Sequence, residues 1–182
     1  MPVPMEQETI SDDALVEAYR SGDECAARVL VERHASALGR FLYGAGAAPA
    51  EVEDLVQEAF FRAFRGLAGW RRDASFRTWL LAIGANLLRD EQRRRRGTIV
   101  VPVEGHEAPD HCDPEAELAA RDAEARLRAG LGKLPRLQRE VFLLRAQQGV
   151  GYAEIAAALG TTPGAARVHY HHAVKRLKEL VQ

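Results

Sequence analysis

The stretch YAEIAAALGTTPGAARVHYHHAVKRL, Tyr152 to Leu177, contains two helical patterns separated by Gly160-Thr161-Thr162. Ala156, Ala157 and Ala158 permit two helices to cross closely, Gly160 suits a tight turn, and Thr162 is placed to cap a second helix that has Pro163 at its first position. This is a helix-turn-helix pattern, which many unrelated DNA-binding proteins share. His169, His171 and His172 crowd the second helix ahead of Lys175 and Arg176. With Ala166 set at 0°, the apolar stripe comprises Tyr170, Ala173, Val174, Leu177, Leu180 and Val181, and the three histidines fall at about 300°, 140° and 240°. A single metal would reach His169 and His172 at most and lack two further ligands. The histidines are therefore read as a polar, DNA-facing surface, with no metal and no cofactor expected.

Upstream, Leu134-Pro135 opens another helix, with Leu137, Val141, Phe142 and Leu144 inside and Arg136, Gln138 and Glu140 outside. A helical pattern from Glu115 to Gly130 precedes it and breaks at Gly132 to Pro135. Between Gly97 and Pro114 the period disappears, and GTIVVPVEGHEAPDHCDP reads as a linker rich in proline and acid. Thr98 to Val103 has strand character but no partner strand, and His106, His111 and Cys112 match no zinc spacing. From Ser11 to Arg96 apolar residues recur at helical spacing, interrupted at Gly22-Asp23, Gly44 to Pro49 and Gly66 to Ser75, which predicts three or four helices. The expected fold is all-α: two small helical domains, residues 11–96 and 118–182, joined by an acidic linker, residues 97–117. A chain of 182 residues accommodates two such units.

Composition narrows the class. The chain is 47% hydrophobic and 28% charged, and no apolar run approaches the roughly 20 residues of a membrane span. The N-terminus MPVPMEQETISDD lacks a basic region followed by an apolar one, so a cytoplasmic location without membrane insertion is expected. Cys25 and Cys112 stand apart and are read as reduced thiols. The net charge of -1 hides blocks: twelve acids against four arginines in residues 1–60, then eight arginines against three acids in residues 71–96. Six acids and no lysine or arginine follow in residues 97–117, then eight basic residues against three acids in residues 131–182. Two basic blocks on separate helical regions fit two footprints on one polyanion, with the acidic blocks facing something else.

In VEDLVQEAFFRAFRGL, Val52 to Leu67, the residues Val52, Val56, Ala59, Phe60, Ala63, Phe64 and Leu67 form an apolar stripe. Opposite stand Asp54, Gln57, Glu58 and Phe61, an acidic face with one aromatic in it. The later stretch SFRTWLLAIGANLLRDEQRRRR, Ser75 to Arg96, has Phe76, Trp79, Leu80, Ile83, Leu87 and Leu88 as its stripe, with Ser75 as cap. Phe76 and Trp79 are thus core residues. Arg71 and Arg72 in the preceding loop, with Arg77, Asn86, Arg89 and Arg93 off the stripe, supply donors suited to phosphates and bases, and Arg93 to Arg96 continue the helix toward the linker.

The string Asp54-Leu55-Val56-Gln57-Glu58-Ala59-Phe60, followed by Ser75-Phe76-Arg77-Thr78-Trp79-Leu80, Asn86, Asp90 and the arginine run, resembles region 2 of the extracytoplasmic-function sigma factors. The helix-turn-helix resembles their region 4, and the resemblance extends from about Asp12 to Leu180. It implies a dissociable subunit that binds core RNA polymerase, directs it to promoters and helps melt the duplex, with no catalysis of its own. It implies that Asp54, Gln57, Glu58 and Phe61 dock on polymerase, a compact set of acceptors around an apolar anchor. Trp70, Arg71, Arg72, Arg77, Asn86, Arg89, Arg93 and Arg94 would read the minus-ten element, where the family extrudes one base into a pocket made by the loop, at an unstacking cost of a few kcal/mol. Thr162, Ala165, Arg167, Val168, His169, His172, Lys175 and Arg176 would read the minus-thirty-five element in the major groove. Relatives commonly carry arginine where His169 stands and a basic residue near His172, and smaller residues in the loop of Trp70. The resemblance also implies an anti-sigma factor as partner and a linker threaded toward the polymerase cleft.

Two other classes compete. A polymerase-independent helix-turn-helix repressor would bind duplex promoter DNA tightly by itself, whereas a sigma factor binds weakly until core polymerase is added. A metal-dependent nucleic-acid enzyme using Asp54 and Glu58 would need further ligands, and none stands at a supporting spacing.

Overall fold

A computed structural model describes residues 10–96 and 124–181. The expected linker, the short strand-like run at 98–103, the His106, His111 and Cys112 group, and the start of the helix placed at Glu115 lie outside the described residues.

The first half holds four helices, and their ends follow local chemistry. Helix α1, Asp12–Arg20, begins where Ser11 Oγ accepts the Ala14 N–H at 3.2 Å. Helix α2, Glu24–Ala45, is capped by Asp23, whose carboxylate accepts the Cys25 N–H at 2.9 Å, and stops at Gly46 with φ of 104°, a left-handed conformation that favours glycine. Helix α3, Pro49–Gly66, starts on proline. A short 3₁₀ turn, Leu67–Gly69, and a loop lead to α4, Phe76–Arg96, where Ser75 Oγ accepts the Thr78 N–H at 3.2 Å as the sequence suggests.

In the second half, residues 124–132 form a helical segment, α5. Helix α6, Arg136–Phe142, widens into a π-helical turn at Leu143–Gln147. Helix α7, Tyr152–Leu159, ends at Gly160 with φ of 65°, and α8 spans Pro163–Val181. Thr162 Oγ1 accepts the Ala165 N–H at 3.1 Å, the cap expected for the second helix of a helix-turn-helix.

Helix α2 is the axis of the first half. Its Leu30, Leu38, Phe41 and Leu42 are fully buried against α1, α3 and α4, where Phe76, Leu80 and Leu81 meet them. Each such side chain contributes roughly 1.5–3 kcal/mol of burial. Gly84 lets α4 lie close to α2, since a Cβ there would come within 2.8 Å of Leu38 Cδ1. Val141, Leu143, Leu144, Ile155, Ala166, Ala173 and Leu177 fill the second half.

The two halves meet. Leu143 Cδ2 lies 3.0 Å from where a Cβ on Gly44 would sit, so the small residue admits the second half's core side chain. Arg139 Nη1 donates to the Ala45 carbonyl at 2.8 Å and Arg128 Nη2 to the Ala47 carbonyl at 2.9 Å. The first satisfies a carbonyl that the end of α2 leaves free, and the second lies just past the helix. The Arg128 guanidinium also lies over the Tyr43 ring, 3.7 Å from its centroid.

This packing corrects three expectations of exposure. Glu140, read as outward, is 4% exposed: it faces the first half and accepts from Arg136 Nη1 at 2.9 Å through both oxygens. Burial raises its pKa, and Arg136, Arg89 and Arg139 oppose the shift. Trp70, expected on the loop surface, is 7% exposed and sits in the core. Beyond the expected stripe, α4 also buries Thr78, Leu81, Ala82 and Ala85, and α3 buries Leu55.

Candidate functional site

Three surfaces carry the residues singled out in the sequence. The first is the outer side of α3. Asp54 and Gln57 are exposed, Glu58 is half-buried, and Phe61 keeps 55% of its surface in solvent, with the Arg65 guanidinium 5.3 Å from its ring centroid. Glu58 accepts from Arg62 Nε at 2.7 Å, one turn along the helix. Both side chains are about half exposed, so the pair contributes little to stability. A groove of about 440 Å³ runs beside Asp54 and Glu58, with Leu87, Glu91 and Arg94 of α4 on its far side.

The second surface is the loop before α4 and the outer side of that helix. Trp70 stacks on Trp79 with centroids 5.8 Å apart and meets Phe76 edge-on at 6.0 Å, an aromatic base beneath the loop. Trp70 therefore shapes the loop from below. Arg71 is 85% exposed and pairs with Asp73 at 3.2 Å. Arg72 takes a positive φ of 61°, uncommon for a residue with a side chain, and is held there by an ion pair with Glu17 and by its guanidinium 5.7 Å from the Trp70 ring centroid. Asn86 accepts from Arg89 at 2.6 Å, Arg93 pairs with Asp90 at 3.4 Å, and Arg94 with Glu91 at 3.3 Å. These exposed pairs are weak and leave donors free for phosphates.

Arg77 is different, because its guanidinium donates to Gln148 of the second half while its Nε is buried without a partner. Beside it, the Ser75 N–H donates to Glu154 of α7 at 2.8 Å. Burial pushes the Glu154 carboxyl up, but hydrogen bonds from Ser75 and Thr78 and the charge of Arg77 outweigh it, and its pKa is lowered. A hollow of about 480 Å³ lies between the halves here, lined by Arg71, Trp79 and Asn86 on one side and Ala157 and Ala158 on the other.

The third surface is α8. Thr162 spends its hydroxyl on the helix cap. Ala165 is half-buried, Val168 is 52% exposed, and His172, Lys175 and Arg176 are exposed. Arg167 lies over the Tyr152 ring at 5.3 Å from its centroid. His169 is half-buried, and its Nδ1 is buried without a partner. The neighbouring rings are those of His171 and His172, 6.3 Å apart, whereas the helical wheel grouped His172 with His169. Among the described residues no three His, Cys, Asp or Glu side chains gather as a metal site.

Sequence reasoning missed Glu17, Glu154, Gln148, Arg128 and Arg139. Each acts across the chain on a distant residue, and nothing in its local pattern marks the partner.

Residues 30–98 match the family described as Sigma-70 region 2, and residues 124–177 match that described as Sigma-70, region 4. The RNA polymerase sigma factor NccH of Alcaligenes xylosoxydans xylosoxydans is 33% identical over 176 residues, covering 94% of this chain and 95% of the relative. The chain is an extracytoplasmic-function sigma factor. The sigma-E factor of Escherichia coli K12, itself of that class, is 29% identical over 189 residues, covering 96% of each. Among solved structures, CnrH in complex with the cytosolic domain of CnrY is similar with a TM-score of 0.73 and 33% identity, covering 93% of this chain and 96% of that one. RpoE of Bartonella quintana, solved with the anti-sigma factor NepR, shares the fold at a TM-score of 0.67 and 23% identity, covering 85% and 95%. The all-α fold with two sigma regions agrees with this membership. As a sigma factor the protein directs RNA polymerase in transcription initiation. Among the described residues no helix is long and apolar enough to cross a membrane.

Proposed function

We propose that this sigma factor docks on core polymerase through Asp54, Gln57, Glu58 and Phe61, and reads its promoter with two separate faces. The observation that carries the docking surface is Phe61, an exposed aromatic on the acidic side of α3, opposite the buried stripe. Arg71, Arg72, Asn86, Arg89, Arg93 and Arg94 serve the minus-ten element, with Arg77 entering once it is released from Gln148. Trp70 shapes the loop from within the core. Arg167, Val168, His169, His172, Lys175 and Arg176 serve the minus-thirty-five element, with Thr162 and Ala165 setting the start of the reading helix. The working division is residues 11–96, 97–117 and 118–182.

The protein acts in the cytoplasm, where its polymerase is, and as a transcription factor rather than an enzyme. CnrH is described in complex with the cytosolic domain of CnrY, and RpoE with an anti-sigma factor. By that likeness an anti-sigma factor is the proposed regulator here. Run-off transcription with purified core polymerase, with and without this protein, tests the assignment on a genomic library of promoters. Specific initiation that depends on the added protein is the expected result, and its absence on every template overturns the reading.

A further inference from the structure

The loop before α4 is bracketed by side chains of α1. Glu17 Oε1 accepts from Arg20 Nη1 at 2.9 Å and also from Arg72 Nη2. The other terminal nitrogen of Arg20 donates to the Leu67 carbonyl, which accepts the Trp70 N–H at 3.2 Å as well. The Arg72 guanidinium in turn lies 5.7 Å from the Trp70 ring centroid. These contacts close a circuit through Leu67, Arg20, Glu17, Arg72 and Trp70, and one carboxylate oxygen is its joint. Helix α1 is a firm base for it: Leu15 and Val16 are buried, and Tyr19 packs on Phe64 with ring centroids 5.0 Å apart. What the circuit holds is costly, because Arg72 has a φ of 61°, and a residue with a side chain stays there only where its surroundings impose it.

We propose that Glu17 and Arg20 are positioning residues for promoter opening: they set the loop from Leu67 to Arg72 in the shape that meets the minus-ten element, without touching DNA themselves. This rests on the assignment of that loop to the minus-ten element. Arg71, one residue before the held position, is 85% exposed and lines the hollow with Trp70 and Asn86. Rotation of Arg72 out of the left-handed region turns the peptide it shares with Arg71, and so re-aims that wall of the hollow. Glu17 and Arg72 are about half exposed, so their pair adds little to global stability. A weak pair is still enough to choose among conformers of a short loop. If the released loop keeps the competent shape in about one tenth of molecules, opening slows about tenfold.

The test uses holoenzyme reconstituted from core polymerase and the full-length factor, with Glu17→Ala and Arg20→Ala as separate variants. The rate of promoter opening is read by permanganate reactivity on a promoter mapped by run-off transcription, and on copies of it substituted singly across the minus-ten element. Both variants are expected to melt and to bind core polymerase like wild type, to open the mapped promoter about tenfold more slowly, and to discriminate less against the substituted copies. A general weakening of the fold would slow every template alike. In an Arg72→Gly background, where glycine takes a positive φ without a side chain's penalty, Glu17→Ala should add no further loss. Wild-type rates in both variants, equal slowing on all templates, or a full Glu17→Ala effect on top of Arg72→Gly overturns the proposal, as does a loss of stability or core binding that accounts for the slowing. Arg71→Ala holoenzyme, assayed in parallel, separates the two failures. Normal opening with unaltered discrimination there refutes the minus-ten assignment, whereas impaired Arg71→Ala beside unaffected Glu17→Ala and Arg20→Ala refutes the positioning role alone.

Discussion

His34 Nε2 lies 2.6 Å from Asp12 Oδ2, tying α2 to the first turn of α1, and Arg33 Nη1 holds the other oxygen of the same carboxylate at 2.6 Å. The His34 ring is buried, and burial together with the charges of Arg77 and Arg33 lowers its pKa against the opposing pull of Asp12. The imidazole is therefore neutral near pH 7 and donates Nε2–H to the carboxylate. A folded pKa below the unfolded value means that the unfolded chain binds the proton first. The stability His34 contributes is thus full above the unfolded value of about 6.5 and is lost as the pH falls through the folded value. Urea melts between about pH 5 and 8 should show wild-type stability declining more steeply toward acid than that of His34→Gln. Equal slopes would mean that the ring titrates as if exposed.

Asp54→Arg combined with Glu58→Arg should abolish binding to core polymerase, because the proposed docking on this side of α3 relies on its carboxylates as acceptors and the variant replaces them with like-charged donors. Both carboxylates lie off the buried stripe, so the melting temperature should stay near that of wild type. Pull-down with core polymerase alongside thermal melts checks both halves of the statement, and unchanged affinity removes this face from the proposed function.

Trp70 and Arg71 are adjacent in sequence but should separate cleanly by mutation. Trp70→Ala removes an indole stacked on Trp79 and edge-on to Phe76 and should cost roughly 3–5 kcal/mol of stability. Arg71→Ala changes a side chain in solvent and should move stability by less than about 0.5 kcal/mol while slowing promoter opening in the holoenzyme. Denaturant curves and permanganate footprinting tell the two apart. A Trp70→Ala protein with full stability would return the indole to the loop surface.

On α8, Arg176→Ala should lower the salt slope of holoenzyme binding to a minus-thirty-five duplex by about 0.9, the value of one phosphate contact. His172→Arg adds an obligate cation on the exposed side of the helix and should steepen the slope by a similar amount. An unaltered slope in both variants would mean that this side of α8 does not meet the duplex.

Much of this was legible in the residues. Ser75, Thr162, Gly160 and Pro163 mark helix ends by local hydrogen bonding and φ preference, and local effects survive in a sequence reading. The acidic side of α3 was legible because opposite faces of one helix separate at 100° per residue. Glu140 on α6 and Trp70 in the loop were misplaced because each is buried by residues distant from its own local pattern, and the additional burial on α4 has a related cause. A helix buried from two directions has no simple stripe, and α4 is covered by α2 and α3 on one side and by α7 on another. The Glu154–Ser75 bond spans 79 residues and leaves no periodic trace at either end.

The arginines that finish α2 also give the molecule an internal gauge. Arg139 and Arg128 of the second half occupy the carbonyls of Ala45 and Ala47, next to the Gly46 and Ala47 amides that close the helix at 3.1 and 3.0 Å. Were the halves to part, this terminus would lose its neighbours and fray, so these two amides would exchange with solvent through that local opening rather than through global unfolding. Separation of the halves would leave its record in deuterium at this helix end.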